Sequence, residues 1–209
     1  NLSTTAQQTT LGAGTDTLSS IENVIGSAYD DTLTGSAGDN VLNGGAGRDT
    51  VSYAQATSGV TVNLGVAAAQ DTHAMGFDTL ISIENIVGTA YDDVITGNAQ
   101  ANDIYGGFGN NIIDGGSGND YIQSDRGNDF LYGGGGDDII LASTGSDVVI
   151  GGSGRDKIVF SDNKGDDLVV YKSVGDSTVD APDFIDGLSV GDKIDVSAID
   201  ADVIKAGNQ

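Results

Sequence analysis

The chain has 209 residues, of which 33 are glycine, one is proline and none is cysteine. Asp and Glu number 31 against 8 Lys and Arg, a formal net charge of −23, which excludes the basic footprint that nucleic acid requires and disfavours an anionic membrane surface. Without cysteine there is no disulfide framework or thiolate metal site, and no run of about 18 apolar residues offers a transmembrane helix.

Glycine at this level without proline predicts many tight turns, and the few aromatic side chains argue against a conventional globular core. So acidic a chain can also be read as disordered or as solvated for high salt. Neither of those readings requires that most acids fall at one fixed spacing, as they do here. Left alone, acids so arranged repel one another; with a cation they become ligands.

In chain order, the first residues belong to a larger repeat. Asn1-Leu2 aligns with Asn63-Leu64, Asp16-Thr17-Leu18 with Asp78-Thr79-Leu80, and Ile21-Glu22-Asn23 with Ile83-Glu84-Asn85, all in one register offset by 62 residues. The sequence is expected to be a fragment of a longer repetitive protein. From Gly26 a second, nine-residue period begins: GSAYDDTLT, GSAGDNVLN and GGAGRDTVS, ending at Ser52. Residues 53–87 interrupt it. There Val60–Leu64 alternates as a strand, 67–76 is expected to be a loop or short helix, and Ile81–Val87 reads as a strand leading onward. The segment is predicted to continue the same winding as larger, irregular coils.

Eight more nonapeptides run from Gly88 to Val159, and DNKGDDLVV fits 162–170 after a slip of two residues. Position six of the units reads Asp31, Asn40, Asp49, Asp93, Asn102, Asn111, Asp120, Asp129, Asp138, Asp147, Asp156 and Asp167. Position eight is always Leu, Ile or Val. The period predicts a turn of six residues and a strand of three, with position eight inward and positions seven and nine outward. Two units then make one 18-residue coil.

The units resemble GGxGxDxUx, U being a large apolar residue, the nonapeptide of RTX (repeat-in-toxin, hemolysin-type calcium-binding) proteins. The resemblance covers 26–52 and 88–170. It implies an all-β fold, a right-handed parallel β-helix or β-roll solenoid with Ca²⁺ ions in its turns. SDRGND, ASTGSD and GNAQAN depart from the pattern and are expected to bind more weakly. Calcium takes 6–8 oxygens, and a glycine-rich turn can aim successive carbonyls at one point.

Each ion is therefore expected between units i and i+2. One row runs through Asp93, Asn111, Asp129, Asp147 and Asp167. The other runs through Asn102, Asp120, Asp138 and Asp156, while Asp31 and Asp49 share a site in the first array. The glycines expected to contribute are Gly44, Gly45 and Gly47 in the first array, then Gly106, Gly107, Gly109, Gly115, Gly116 and Gly118. Gly133, Gly134, Gly136, Gly151, Gly152 and Gly154 complete the set. The best sites are expected at Asp120/Asp138 and Asp138/Asp156, and roughly seven to ten ions in all from the stacked turn pairs. Asx turns without metal are the alternative reading of the same residues.

Beyond 170, Asp183-Phe184-Ile185-Asp186-Gly187 and Gly191-Asp192-Lys193-Ile194-Asp195-Val196-Ser197 resemble the signature that closes the domain in serralysin-type secreted proteins. The expected division is 1–87, first array with irregular coils; 88–170, main β-roll; 171–209, cap. The function implied is a calcium-binding structural and secretion module of an extracellular bacterial surface protein (adhesin, S-layer or filament), folding after type I secretion. A module attached to a secreted protease, lipase or alginate epimerase is the alternative. No catalytic constellation is evident, since His73 is the sole histidine and is expected in a loop. Self-association and cell-surface glycan are further possible partners. A flat Thr row for ice binding is absent.

Overall fold

A computed structural model of the chain describes residues 8–10, 14–16, 21–73, 75–161 and 164–199. Strands and turns make up these residues, with no helix among them, because a strand of three residues followed by a glycine turn leaves no helical period to satisfy.

The strands stack into long parallel sheets. One has eight strands, in order Thr32–Leu33, Thr50–Ser52, Asn85–Val87, Asp103–Gly107, Tyr121–Ser124, Ile139–Ala142, Lys157–Phe160 and Phe184–Asp186. A second has seven, in order Thr61–Asn63, Val94–Thr96, Ile112–Ser117, Phe130–Gly135, Val148–Ser153, Leu168–Val170 and Lys193–Asp195. A third stacks Asn23–Ile25, Val41–Asn43 and Phe77–Ile81, with Gln70–Asp71 antiparallel at its edge. The chain alternates between the first sheet and the other two. Separately, Gln8–Thr10 pairs antiparallel with Gly14–Asp16.

Register follows the nonapeptide. Ile104 pairs with Ile122, Ile122 with Ile140 and Ile140 with Ile158 in the first sheet. Ile95 pairs with Ile113, Ile113 with Leu131 and Leu131 with Val149 in the second. Every position-eight residue from Leu33 to Val169 is buried, and together they form one continuous apolar cluster. Burial of one such side chain contributes roughly 1.5–3 kcal/mol.

Outward positions of the second sheet are more uniform than the sequence variability of position seven suggests. Position seven of the second sheet carries Val94, Ile112, Phe130, Val148 and Leu168, paired strand to strand. Val94, Ile112 and Phe130 are exposed.

The interruption at 53–84 departs from expectation in two ways. The described residues of 67–76, expected as a loop or short helix, contain the short strand Gln70–Asp71 and a turn. Ile81–Val87 is not one strand: a turn at 82–84 divides Phe77–Ile81, in the third sheet, from Asn85–Val87, in the first. The outward path adds Thr61–Asn63 against Val94–Thr96, and the return adds Phe77–Ile81 against Val41–Asn43. The widened interior is filled by Tyr53, Ala56, Val60, Met75, Leu80 and Ile83. A buried phenol needs a partner; the Tyr53 hydroxyl donates to Asp78 Oδ2 at 3.2 Å.

The segment after Val170 supplies one more coil. Ile185 pairs with Ile158 and Ile194 with Val169, so the two last strands extend the two long sheets. The first sheet runs unbroken through residues 85–107, where Asn85–Val87 lies between Thr50–Ser52 and Asp103–Gly107.

Candidate metal centres

Most position-six side chains are fixed by a hydrogen bond to the coil before them. The Asp120 N–H donates to Asp138 Oδ1 at 2.8 Å and the Asp138 N–H to Asp156 Oδ1 at 3.0 Å. Ahead of them the Asn102 N–H donates to Asp120 Oδ1 at 2.8 Å. Along the opposite edge Asp93 donates to Asn111, Asn111 to Asp129, Asp129 to Asp147 and Asp147 to Asp167. Both predicted rows exist as ladders, one at each edge of the stacked sheets.

The ladders run further than the nonapeptides. Asp156 donates to Asp183 Oδ1 and Asp167 to Asp192 Oδ1, each at 2.9 Å. In the interruption, Asn40 donates to Asp78 Oδ1 at 3.0 Å and Asp49 to Glu84 Oε2 at 2.8 Å. These four acids escaped the sequence reading as members of the ladders because unequal loops separate them from their neighbours. Three of them carry a signal that could have found them: Asp78-x-Leu80, Asp183-x-Ile185 and Asp192-x-Ile194 keep the six-to-eight spacing.

Position five was also missed. Its side chain accepts from the following coil, the reverse direction: the Asn110 N–H donates to Asp92 Oδ1, Asn128 to Asn110 and Ser146 to Asn128. The Asp137 N–H donates to Asn119 Oδ1 and Arg155 to Asp137. The prevalence of Asn, Asp and Ser at this position is the trace of that ladder.

What happens to the second carboxylate oxygen divides the units. In GSAYDD, Asp31 Oδ2 accepts from the Ser27 hydroxyl at 2.9 Å. In GTAYDD, Asp93 accepts from the Thr89 N–H at 2.7 Å and its hydroxyl at 2.8 Å. The Asn units satisfy themselves through their amide: Asn102 Nδ2 donates to the Glu84 carbonyl at 2.7 Å. Asn111 Nδ2 reaches the Gly107 and Gly109 carbonyls. In the GGxGxD units no side chain stands at position two, and Oδ2 of Asp49, Asp120, Asp138 and Asp156 is buried with no hydrogen-bond partner.

Three glycines shape each such turn. Gly134 and Gly136 hold φ of 109° and 130°, a region only glycine enters freely. The first glycine of a unit is needed for room instead. A Cβ on Gly115 would lie 2.5 Å from Asp120 Oδ2 and 2.6 Å from the Gly133 carbonyl oxygen of the next coil. A carboxylate and a carbonyl from successive coils thus face one small space.

Burial pushes the Asp138 carboxyl up to about 8, with Asp156 and Asp120 adding like-charge repulsion. Burial likewise pushes Asp120 and Asp156 up to about 6, and raises Asp93 and Asp129. A buried carboxylate oxygen without a donor is costly, and a divalent cation among carbonyl oxygens would remove that cost. Calcium fits this donor set: hard oxygens only, from glycine carbonyls and one carboxylate per turn. Among the described residues no three of His, Cys, Asp or Glu converge, so most ligands have to be main-chain oxygens. His73 is on an exposed turn, its N–H bonded to Asp71 Oδ1. No helix among the described residues is long and apolar enough to cross a membrane.

The family model of the RTX calcium-binding nonapeptide repeat (four copies) matches residues 12–51, 82–113, 105–140, 114–148, 132–163 and 141–170. No curated protein matches the chain.

Proposed function

Because the chain belongs to the RTX calcium-binding nonapeptide repeat family, we propose that it is the calcium-dependent structural module of a secreted bacterial surface protein, an adhesin, S-layer protein or filament. The unpartnered buried oxygens of Asp49, Asp120, Asp138 and Asp156 carry this reading. Each carboxyl, once ionised, bears a charge that the fold encloses and does not neutralise. When bound, calcium supplies that neutralising charge and draws the carbonyls of adjoining coils together.

The protein's own groups prepare the sites. In the GGxGxD units the position-six ladder holds each carboxylate by one oxygen and leaves the other toward the glycine cradle. The position-five ladder spaces the turns from the opposite side. Extracellular modules bind calcium near 10⁻⁴–10⁻³ M, so the chain is loosely ordered where calcium is scarce and folds after export by a type I system. Once folded it is a rigid spacer with no catalytic role. The 62-residue duplication of Asn1–Asp31 in Asn63–Asp93 favours a long repetitive parent.

Flow dialysis with calcium, with magnesium as competitor, tests the binding. The reading predicts saturable uptake of several ions at about 0.1–1 mM that magnesium does not displace. Uptake that never saturates contradicts it. The full-length gene tests the parent: further 62-residue units support a surface protein, and an upstream catalytic domain contradicts it.

A further inference from the structure

Residues 82–84 make a turn of three where the nonapeptide uses six, and the seam they form between the two arrays has the parts of a metal site. Asp49 is fully buried; its Oδ1 accepts the Asp31 N–H at 2.8 Å and its Oδ2 has no partner. The place a Cβ would occupy on Gly44 is bounded by that Oδ2 and by the carbonyl oxygen of Ser82. Ser82 holds a left-handed φ of 49°, uncommon for a residue with a side chain, at the point where its carbonyl faces Gly44.

Glu84 approaches from the same turn. Its Oε2 accepts the Asp49 N–H at 2.8 Å, the place that Asp138 Oδ1 takes toward Asp120. A side chain one methylene longer reaches the ladder from a turn three residues shorter. The step onward is closed, because Asn102 Nδ2 donates to the Glu84 carbonyl at 2.7 Å. On the far side Asp31 is satisfied by Ser27. The one open position lies between Asp49 and the 82–84 turn, beside a cleft of about 440 Å³ lined by Leu64, Ser82, Glu84, Asn98 and Gln100.

A second place repeats the pattern. Arg48 and Arg155 hold position five of the GGAGRD and GGSGRD units. After each, the next position-six acid arrives by a longer path, Glu84 for Asp49 and Asp183 for Asp156. Each guanidinium bridges onto the incoming segment: Arg48 Nη2 to Asn85 Oδ1 at 3.1 Å, Arg155 Nη2 to the Asp180 carbonyl at 3.0 Å.

We propose that Asp49, the Ser82 carbonyl and Glu84 hold a calcium ion that ties residues 26–52 to residues 88–170 across the insertion. The proposal rests on the reading of the turns as calcium sites and goes beyond it, since half of this shell is not a nonapeptide. Native mass spectrometry of the calcium-loaded chain tests it, with Asp49→Asn, Glu84→Gln and, as control, Asp138→Asn. Asn at 49 keeps the Oδ1 acceptor for Asp31, so the ladder survives.

The expected result is one ion fewer in Asp49→Asn and a seam ion bound at least tenfold more weakly in Glu84→Gln. Faster amide exchange of residues 41–52 at saturating calcium is also expected in Asp49→Asn, with residues 120–156 unchanged. Wild-type ion counts in both seam variants, alongside a loss in Asp138→Asn, overturn the proposal. A lost ion with unchanged exchange at 41–52 overturns its tying role. A wild-type chain that binds no calcium removes the underlying reading, and the seam site with it.

Discussion

Asp120 donates its backbone N–H to Oδ1 of Asp138 at 2.8 Å, and Oδ2 of the same Asp138 is buried with nothing to accept from. One carboxylate thus serves as a structural acceptor on one oxygen and awaits a ligand on the other. Replacing Asp138 by Asn separates the two roles. The variant keeps the ladder acceptor and gains a donor for the surrounding carbonyls, as Asn102 and Asn111 already do. In EDTA it is expected to be more stable than the parent by about 1–3 kcal/mol, the cost of an unmet buried polar group. With calcium at ten times Kd it is expected to lose about 1.4 kcal/mol for each ion forfeited. Urea melts with and without calcium check both signs.

The metal-free fold is expected to strengthen in acid. Burial raises Asp138 to about 8 and Asp120 and Asp156 to about 6, all above the unfolded value near 3.9. The folded state therefore binds protons more tightly. Its stability is fully present below pH 4 and is lost as pH rises through about 6 and then about 8. Circular dichroism in EDTA from pH 4 to 9 should show β structure falling with pH. Calcium competes with those protons, so the half-saturating calcium concentration should rise as pH falls through about 8 and then through about 6.

Thr89 is expected to matter to Asp93 as an ion matters to Asp138. Thr89→Ala removes a hydroxyl that donates to Asp93 at 2.8 Å in a buried place. A loss of about 1.5–3 kcal/mol at saturating calcium is expected, with no change in the number of ions bound. Thermal melting and ion counting together check it.

Ile122 stands in the middle of the position-eight ladder, between Ile104 and Ile140, and is fully buried. Ile122→Ala is expected to cost about 2–5 kcal/mol at any calcium concentration. Ile112→Ala, on the exposed position-seven stripe, is expected to change stability by no more than about 0.5 kcal/mol. Parallel calcium-saturated urea melts compare the two.

The repeating part of this structure was legible from the sequence because its two determinants recur in phase. A branched apolar residue at position eight and an Asp or Asn at position six define the ladder on which Ile122 and Asp138 both sit. The divide among the units was not drawn: Asp31 and Asp93 hold the same place in their units as Asp138, yet Ser27 and Thr89 already satisfy them. In GSAYDD and GTAYDD a hydroxyl at position two fills the room that Gly leaves in the GGxGxD units, while Asp129 Oδ2 is buried without a hydrogen-bond partner although Asp125 stands at position two. Residues 53–84 were hardest to read, because Ser82 and Glu84 enter register through a turn of unequal length that no period marks. The interior there includes a polar pair, Tyr53 and Asp78, brought together from 25 residues apart.

The central claim is that cations held between turns are what allow these buried carboxylates to exist in a fold. Far-UV circular dichroism during a calcium titration at pH 7.5, with magnesium as control, tests it most directly. A cooperative coil-to-β transition between about 0.1 and 10 mM calcium, absent with magnesium, is the predicted result. A full β spectrum in excess EDTA at that pH would contradict it, because the carboxylate rows would then be no obstacle to folding alone.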